Sequence, residues 1–547
     1  MSVRNAVLAL AICEAAAATA APRPPAISLG TLKSVTRTLS SDAFEGRAPT
    51  TPGEDRSVAY ISDRFRSAGL RPGNAGNWFQ AVPMVSSTAS PSPLTISGAG
   101  RASLSFDNRT DFVANSFRIE PRVALTDSDI VFVGYGIDAP EKGWNDYAGT
   151  DVRGKTVIIL VNDPDWQSSS LSGPFNGKAM TYYGRWTYKY EEAARHGAAA
   201  AFIVHQTEPA AYGWNVVRSS WAKTQYELDD PNDHRDQSKV DGWLTHDATV
   251  RLFAASGRDL DALTEAARHQ GFHAVPLNLK ASMTIDNQIR RQASRNVIGL
   301  LPGRTRPNEY VIYTAHWDHL GHCGADAKGD DICNGAIDNA SGVAGLVALA
   351  EAQAKVGPAE RSIIFLAVTG EESGLLGSDY YAHHPVFPLA RTAGGINMDG
   401  LALAGDARDM VSLGGSKSEL DAYLARAMAA ERLVPHPDPD PGAGYYYRSD
   451  HFSFAKQGVP MLDVKLGQDL LKGGPAAGRA AADDYRMHRY HQPSDEYDPA
   501  WDWSGALHEL RVYYRIGRKL ATTRDWPDWN RGDEFRSIRD RSLAARQ

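Results

Sequence analysis

The chain has 547 residues, of which 42% are hydrophobic and 22% charged, and its formal net charge is −7. This length predicts two or three domains with a substantial core, and the composition is ordinary for a globular protein. The mild acidity argues against nucleic acid as a partner, because proteins that bind it usually carry a concentrated basic surface.

The N-terminus is typical of a secretory signal. Arg4 precedes an apolar run over residues 6–12, and small residues follow up to Ala20. This pattern predicts a signal peptide over residues 1–20, and therefore an exported protein of the periplasm or the extracellular space. A lipid anchor on Cys13 and a disordered alanine-rich tail are the alternatives. No later run is long enough for a membrane-spanning helix, so we expect no transmembrane segment in the mature protein.

The first predicted elements after the signal are two helices. Residues 32–39 and 54–68 have helical periodicity, and a Phe-Glu-Gly-Arg turn at 44–47 lies between them. Residues 86–92 are rich in Ser, Thr and Pro, which is typical of a linker. We therefore predict that residues 28–92 are the N-terminal part of the main domain.

Residues 93–285 are rich in predicted strands and punctuated by glycine. Residues 130–136 predict a strand and a turn, residues 156–161 and 198–204 predict buried strands, and residues 190–196 predict a helix. This stretch contains no obvious catalytic cluster, so we expect the chemistry to lie elsewhere.

Strands alternate with helices from about Asn296 onwards. The predicted elements are strands over 310–315, 362–368, 394–398 and 459–466 and helices over 341–354, 375–382 and 420–430. Strands separated by helices imply parallel βαβ units. We therefore predict an α/β fold with a mixed, mostly parallel sheet covered by helices on both faces.

Acidic and histidine residues follow these strands, where open α/β sheets form their binding sites. His316 ends the first strand with Asp318 beside it, which suits a metal ligand and the acceptor for its other ring nitrogen. Asp338 leads into a helix and is placed to bridge two metals. The alternatives are a surface turn with a satisfied histidine and a plain helix cap.

Two adjacent glutamates, Glu371 and Glu372, follow the second strand. One of them can bind metal while the other moves a proton, because a general base must reach water without being saturated by the metal. A charged helix start is the alternative. Asp399 closes another strand, and His491 supplies a second imidazole. Two histidines and three carboxylates are a donor set that suits zinc.

The ordered motifs HWD, GAIDNASG, EESGLLGS, NMD and HQPSD resemble those of the co-catalytic zinc aminopeptidases, a family that includes glutamate carboxypeptidases. The resemblance covers about residues 296–520. It implies a zinc exopeptidase fold built from residues 28–92 and 286–530, two zinc ions per chain, and peptide substrates. Residues 531–547 are then a C-terminal tail.

Carried over residue by residue, the resemblance implies a role for each motif. The pair His316 and Asp399 holds one zinc, and the pair Glu372 and His491 holds the other. Asp338 bridges the two ions.

The same resemblance makes Glu371 the general base and Asp318 the aspartate that supports the first histidine. Asp450 and His451 are interpreted as residues behind the ligands. Among residues 445–447, one tyrosine can donate to the oxyanion, and the sequence leaves open which one. Core packing and a substrate-lining wall are the alternative roles for these tyrosines.

Two other histidines compete for a place among the ligands. His451 is one alternative ligand, and His488 is the alternative to His491.

Residues 93–285 resemble a protease-associated domain inserted into the peptidase. The resemblance depends on the strand at 157–161 after a Gly-Lys pair and on residues 190–204. It implies a lid or a substrate-guiding role rather than chemistry.

Two cysteines, Cys323 and Cys333, lie with nine residues between them in a Gly/Asp-rich loop. Their spacing does not fit the usual zinc knuckle, although metal binding is the alternative. In an oxidising compartment such a pair predicts a disulfide that closes the loop.

The sequence thus favours a metallo-exopeptidase, and within that class an aminopeptidase. A carboxypeptidase or dipeptidase is the alternative, because Arg448 and Lys465 are available near the motifs to bind a substrate carboxylate. A glutaminyl cyclase-like transferase and a non-catalytic binding protein are less favoured, since the five-ligand set and the base are all present.

Overall fold

The structure, a computed structural model, describes residues 25–98, 103–221 and 223–542. The predicted signal peptide, Cys13 and the last five residues lie outside these ranges. None of the helices within them combines the length and the apolar character that crossing a membrane requires.

The described residues form helices and strands along the whole chain. The helices are α1 (Leu29–Leu39), α2 (Pro52–Ser67), α3 (Trp186–Arg195), α4 (Thr207–Ala210), α5 (Trp214–Trp221), α6 (His246–Ser256), α7 (Leu260–Ala267), α8 (Gly342–Lys355), α9 (Leu376–His383), α10 (Leu420–Glu431), α11 (His451–Lys456), α12 (Gly474–His488), α13 (Ser504–Thr522) and α14 (Arg536–Arg541). The strands are β1 (Arg71–Pro72), β2 (Phe79–Pro91), β3 (Leu94–Ser97), β4 (Leu104–Phe106), β5 (Phe112–Asn115), β6 (Arg122–Phe132), β7 (Asp138–Ala139), β8 (Trp144–Asn145), β9 (Thr156–Leu160), β10 (Ala200–His205), β11 (Gln225–Leu228), β12 (Val240–Thr245), β13 (Val275–Leu301), β14 (Arg306–His316), β15 (Gly321–His322), β16 (Ile332–Cys333), β17 (Arg361–Val368), β18 (Thr392–Asn397), β19 (Asp409–Ser412), β20 (Val434–His436) and β21 (Met461–Leu466).

Residues 286–530, the predicted peptidase segment, are called the catalytic region. A mixed, mostly parallel sheet forms its centre, as the sequence predicts. β17, β14, β18 and β21 lie side by side and parallel, in that order. β13 joins β17 and β19 joins β21, both antiparallel. β17 is buried along its whole length, because a parallel strand covered on both faces needs a continuous apolar sequence.

Helices cover both faces of this sheet. Alternate residues of β14 point to opposite sides, so Val311 packs with α1, α8 and α13, whereas Ile312 packs with Tyr381 of α9 and Phe454 of α11. The carboxyl ends of the parallel strands therefore open at one edge between two helical layers.

A second sheet forms within residues 104–285. β6, β9, β10 and β12 are parallel in that order, and β5 adds to β12 antiparallel. Two hydrophobic clusters lie on its two faces, under α3, α5 and α6. This region contains more helix than the strand-rich sequence pattern indicates, because it includes the short helices α5, α6 and α7.

The predicted linker at 86–92 is wrong. β2 continues to Pro91 and pairs antiparallel with β13 from Phe79 opposite Val297 to Pro91 opposite Ile285. The ladder uses backbone groups, so a Ser/Thr-rich composition is compatible with a strand once a partner strand is present. β13 runs unbroken through the predicted boundary between residues 285 and 286 and belongs to both sheets.

The described part of the predicted C-terminal tail is packed against the catalytic region. α14 lies in it, and its Arg539 is buried. The Arg539 guanidinium donates to the carbonyl oxygen of Thr392, 2.9 Å away.

The predicted disulfide is confirmed. Cys323 and Cys333 are bonded, with their Cα atoms 5.8 Å apart, and the small ladder of β15 and β16 lies where the loop they close begins and ends. Gly46, with a φ of 61°, lies against this loop. A Cβ atom at Gly46 would lie 2.6 Å from the carbonyl oxygen of Cys333, so only glycine allows the contact.

Candidate metal centre and the clefts beside it

The five side chains predicted as metal ligands converge at the carboxyl edge of the catalytic sheet. His316 is the last residue of β14, while Glu372 and Asp399 follow β17 and β18 by a few residues. Asp338 precedes α8, and His491 follows α12. The parallel topology thus gathers residues that are as much as 175 positions apart, from 316 to 491, at one site.

One half of the cluster is centred on His316. Its Nε2 lies 3.3 Å from Asp338 Oδ1 and 3.3 Å from Asp399 Oδ1. Its Nδ1 lies 3.2 Å from the backbone carbonyl oxygen of Asp318, to which it can only donate. This contact assigns the proton to Nδ1 and leaves the lone pair of Nε2 directed at the two carboxylates.

The other half is centred on His491. Its Nε2 lies 3.0 Å from Glu372 Oε2 and 3.4 Å from Asp338 Oδ2. Asp338 therefore presents one carboxylate oxygen to each histidine.

The separations between donor atoms suit a tetrahedrally bound cation. Zinc bonds to nitrogen and oxygen of about 2.0–2.1 Å place neighbouring ligand atoms about 3.3 Å apart in a tetrahedron. The four histidine–carboxylate separations range from 3.0 to 3.4 Å. Asp338 Oδ1 is also buried with no hydrogen-bond partner among the described residues. A cation at the cluster would supply that missing partner.

A third imidazole, that of His319, lies in the same cluster and was not predicted. Its Nδ1 is 2.5 Å from Glu372 Oε1, and its side chain is buried. Donor atoms of His319, Asp338 and Glu372 lie within 4.8 Å of one another. The sequence signal that could have indicated this imidazole is the second histidine of His-Trp-Asp-His, three residues after His316.

The two adjacent glutamates have opposite electrostatic surroundings. Burial alone would raise the pKa of Glu372, but the imidazoles of His491 and His319 hold it well below its usual range. Burial raises the pKa of Glu371 well above its usual range, and neighbouring carboxylates add to the effect against an opposing contribution from His316. Paired carboxyl groups pushed in opposite directions are suited to different chemical roles.

Asp318 ties the loop of the first histidine to the loop of the glutamates. Its Oδ1 accepts the backbone N–H of Glu371 at 3.2 Å. The same atom lies 3.8 Å from His316 Nδ1, so the carbonyl oxygen of Asp318, rather than its carboxylate, is the hydrogen-bond partner of that ring. Burial raises the pKa of Asp318 to about 7.

Arg47, in the turn between α1 and α2, holds the loops around the cluster together. It is fully buried, and its guanidinium donates to four backbone carbonyl oxygens, those of Leu39, Trp317, Asn334 and Gly335, at 2.7–2.9 Å. Trp317 lies in the loop after β14, and Gly335 in the loop before α8. The sequence pattern located the turn but gave no role to this arginine.

Asp495 holds the loop of Asp338 in place in a similar way. Its carboxylate is fully buried and accepts the backbone N–H groups of Ile337 and Asp338, each at 3.1 Å. The loop that carries His491 is thereby joined to the loop that carries Asp338.

The second sheet region reaches the cluster through α5. Ser220 Oγ lies 3.0 Å from His491 Nδ1, and the hydroxyl of Ser219 donates to the backbone carbonyl oxygen of His491 at 3.0 Å. The outer nitrogen of this histidine is therefore contacted from residues 93–285, in which the sequence showed no catalytic cluster.

The competing histidines lie outside the cluster. His451 is buried, with Nδ1 3.3 Å from Asp463 Oδ2 and its ring centroid 4.9 Å from that of Tyr446. His488 is exposed and contacts Asp484 at 3.2 Å. Asp450 is buried behind His316, and burial raises its pKa to about 6 against the charge of that histidine.

The cluster lies between two clefts. The first, of about 320 Å³, opens between the two regions and is lined at one end by Glu371, Glu372 and His491. The second, of about 520 Å³, is lined by Asp338, Glu371 and Asp399. Glu371 thus faces both clefts, so a substrate lying across the cluster contacts it.

The tyrosines and cations predicted near the site lie along these clefts. Tyr445 lines the second cleft and Tyr447 the first, whereas Tyr446 is buried. Arg448 lines both clefts. Lys465 lines the second, and its ammonium donates to a backbone carbonyl oxygen of the cluster at 2.7 Å.

Known proteins resemble this chain over the catalytic region. The model of peptidase family M28 matches residues 296–514. Aminopeptidase NAALADL1 of Mus musculus is 32% identical over 130 residues, 23% of this chain and 16% of the mouse protein. Aminopeptidase YwaD of Bacillus subtilis is 33% identical over 94 residues, 17% of this chain and 18% of that protein. The chain thus matches less than two thirds of the length of either relative.

A solved structure shares the fold over a longer stretch. The aminopeptidase from Aneurinibacillus sp. strain AM-1 superposes with a TM-score of 0.52 at 20% sequence identity. The match covers 90% of this chain and 94% of that one.

Proposed function

We propose that this protein is a zinc-dependent aminopeptidase that releases N-terminal residues from peptides, because the model of peptidase family M28 matches residues 296–514. The observation that carries the proposal is Asp338, whose two carboxylate oxygens each face a different histidine–carboxylate pair. The matched relatives named as aminopeptidases support the choice within the family.

The cluster holds two zinc ions in this proposal. His316 and Asp399 would hold one ion, Glu372 and His491 would hold the other, and Asp338 would offer one carboxylate oxygen to each. Bound zinc polarises the scissile carbonyl group and makes water a competent nucleophile near neutral pH.

Glu371 acts as the general base. It belongs to neither ligand pair, it faces both clefts, and its burial favours uptake of a proton. A carboxylate oxygen of Glu371 takes a proton from the attacking water as the new carbon–oxygen bond forms. The same group returns the proton to the amine nitrogen as the carbon–nitrogen bond breaks. Asp318 fixes the backbone of this glutamate through its bond to the Glu371 N–H.

Tyr445 is placed to donate to the oxyanion of the tetrahedral intermediate. Among the three adjacent tyrosines, it lines the cleft that also contains Asp338, Glu371 and Asp399. A hydroxyl donor at that point stabilises charge that develops only in the transition state.

We also propose that the protein is exported and that residues 93–285 guide substrate to the metal centre as a protease-associated domain. The N-terminal pattern and the Cys323–Cys333 disulfide support an oxidising compartment outside the cytoplasm. The contact of Ser220 with His491 supports a direct role for the inserted region at the site.

A carboxypeptidase or dipeptidase is the second candidate. Arg448 lines both clefts and Lys465 lines the second, and either cation can bind a substrate carboxylate.

Hydrolysis of a peptide panel by the purified mature protein tests the proposal. The panel contains dipeptides and tripeptides with a free amine, an acetylated amine or an amidated C-terminus, each assayed with chelator and after zinc is added back. Chelator-sensitive cleavage that requires the free amine is the expected result. Cleavage that tolerates acetylation but requires the free carboxylate would identify the second candidate, and no cleavage of any peptide would contradict both.

A further inference from the structure

The first cleft is lined in part by acidic and amide side chains that have no role in the proposed mechanism. Asp241 of β12 and Glu227 of β11 line it, together with Gln225 and Gln237. We call these four side chains the acidic pocket. Glu371, Glu372 and His491 of the metal centre line the same cleft.

Asp241 is buried without a matching donor. Asp241 is 1% exposed, and neither of its carboxylate oxygens has a hydrogen-bond partner of good geometry among the described residues. The nearby hydroxyl of Ser238 and the charge of Arg118 offset its burial only in part. A buried carboxylate of this kind is costly unless a donor or a positive charge is supplied. Burial raises the pKa of Asp241 to about 8, with Arg118 partly opposing the shift.

Glu227 adds a second carboxylate at the same place. Burial, together with the charge of Asp241, raises the pKa of Glu227 to about 8. Two carboxyl groups that disfavour each other's ionisation are stabilised together by one cation between them.

Aromatic rings form the walls beside these carboxylates. Four aromatic side chains line the cleft, with Trp221 in contact with the other three. The ring centroid of Trp221 lies 5.6–6.0 Å from those of Phe117, Trp186 and Tyr190. Aromatic faces attract an ammonium or guanidinium group and also cover the apolar stem that carries it.

We propose that the acidic pocket binds the charged end of a lysine or arginine side chain of a peptide whose scissile bond lies at the metal centre. The inference rests on the proposed function, because it assigns the substrate preference of that same site. An aminopeptidase with this pocket prefers a basic residue over an uncharged residue of equal length.

Arg185 and Arg448 also line this cleft, but neither is among the charges that shift the pKa of Asp241. The Arg185 guanidinium lies 6.0 Å from the ring centroid of Trp186, and that of Arg448 lies 5.3 Å from that of Tyr212. Burial, with the charge of Arg448 beside it, lowers the pKa of Arg185 to about 9. The charged group that acts on Asp241 is instead Arg118, whose Nε donates to the carbonyl oxygen of Gln237 at 2.7 Å.

Matched substrates test the proposal. The zinc-loaded protein is assayed with the p-nitroanilides of lysine and norleucine, and of arginine and citrulline, which share the α-amine and differ in side-chain charge. We expect kcat/KM to be about tenfold higher or more for each basic substrate, since a charge-assisted hydrogen bond contributes about 1.5–3 kcal/mol. The variants D241N and E227Q should each lower this ratio at least fivefold.

A control variant and a binding measurement complete the test. D247N changes an aspartate of the same region whose side chain is 99% exposed, and it should leave the ratio unchanged. Calorimetric binding of lysinamide and norleucinamide needs no turnover, so it separates the pocket from the proposed reaction. Tighter binding of lysinamide that is lost in D241N or E227Q supports the pocket even without hydrolysis. Equal affinities, no binding of either amide, or a ratio that both variants leave intact would overturn the proposal.

Discussion

Glu371 and Glu372 are neighbours in the chain, yet their surroundings assign them different tasks. Glu372 lies between the imidazoles of His319 and His491, which favour its ionised form. For Glu371, the charge of His316 only partly opposes burial, which favours the protonated form. The two carboxyl groups therefore differ in pKa because different imidazoles lie beside them.

Replacing Glu371 with glutamine is expected to separate metal binding from catalysis. The variant should keep its zinc, because Glu371 is in neither ligand pair, while kcat falls by about 10²- to 10⁴-fold through loss of the general base. Zinc content and peptide hydrolysis are measured on the same sample. Glu372→Gln is the matched comparison and should lose zinc. Near-normal turnover of the Glu371 variant would remove this residue from the role.

Ser220→Ala tests whether the inserted region supports a ligand. Loss of the hydroxyl beside His491 Nδ1 leaves that ring less firmly oriented, so zinc affinity should fall about 10- to 100-fold. A competition titration against a zinc chelator measures the change. Ser169→Ala, an exposed serine of the same region, is the control. Equal affinity in both variants would show that the contact has no effect on the metal.

Sequence reasoning located the side chains that converge at the cluster but not the residues that hold their loops in place. His316, Asp399 and the glutamates could be predicted because their positions relative to strand ends are visible in the pattern. The contacts of His319 and Arg47 could not, because they join side chains or carbonyl oxygens that only the tertiary fold brings together.

At the scale of elements, the catalytic loops are held by buried polar contacts to their backbone. Arg47 satisfies carbonyl oxygens of the loop after β14 and of the loop before α8, and Asp495 satisfies N–H groups of the latter. Loops with so little regular structure stay in place because each buried backbone group has a partner.

Arg47→Met is expected to destabilise the protein strongly. It removes the guanidinium donor from four buried carbonyl oxygens, of which that of Gly335 keeps the backbone N–H of Ala340. We expect a loss of about 3 kcal/mol or more in the free energy of unfolding. Thermal unfolding followed by circular dichroism measures the effect. Arg56→Met, on the same segment but 44% exposed, should cost less than about 1 kcal/mol. Similar losses in the two variants would contradict the assigned role.

The disulfide loop gives a second prediction for an element. Replacing Cys323 and Cys333 together with serine should lower the free energy of unfolding by about 2–3 kcal/mol, the value for closing a loop of this length. Zinc content should be retained, because neither cysteine touches the metal cluster in the described structure. An unchanged melting temperature would show that the bond adds nothing to stability.

The elements most easily predicted were those with a strong apolar pattern. β17 and α8 are buried almost throughout, and both were recognised from sequence. The predicted linker at 86–92 overlaps the second half of β2. The polar residues there pair with β13 through backbone groups, and residue type carries little information about such pairing.

At the scale of the whole molecule, two sheets share one strand and enclose the metal centre between them. β13 pairs with β17 in the catalytic sheet and with β6 in the second sheet. The first cleft lies between the two regions, and its walls come from both. The walls of this cleft are therefore built by two parts of the chain that meet at the cluster.

Zinc is expected to stabilise the whole fold. The cluster gathers buried carboxylates that repel one another, and a cation that binds only the native state adds stability that grows with its concentration. The melting temperature should therefore fall by several degrees in chelator and rise with added zinc. Magnesium, which prefers all-oxygen octahedral sites, is the control and should not restore it. Equal melting temperatures with and without chelator would contradict the prediction.

The most direct test of the account is anomalous diffraction at the zinc edge from crystals of the zinc-loaded protein. The account predicts two peaks about 3.5–4 Å apart. One should lie between His316, Asp338 and Asp399, and the other between Asp338, Glu372 and His491. A single peak, or peaks away from Asp338, would contradict a two-zinc centre bridged by that aspartate.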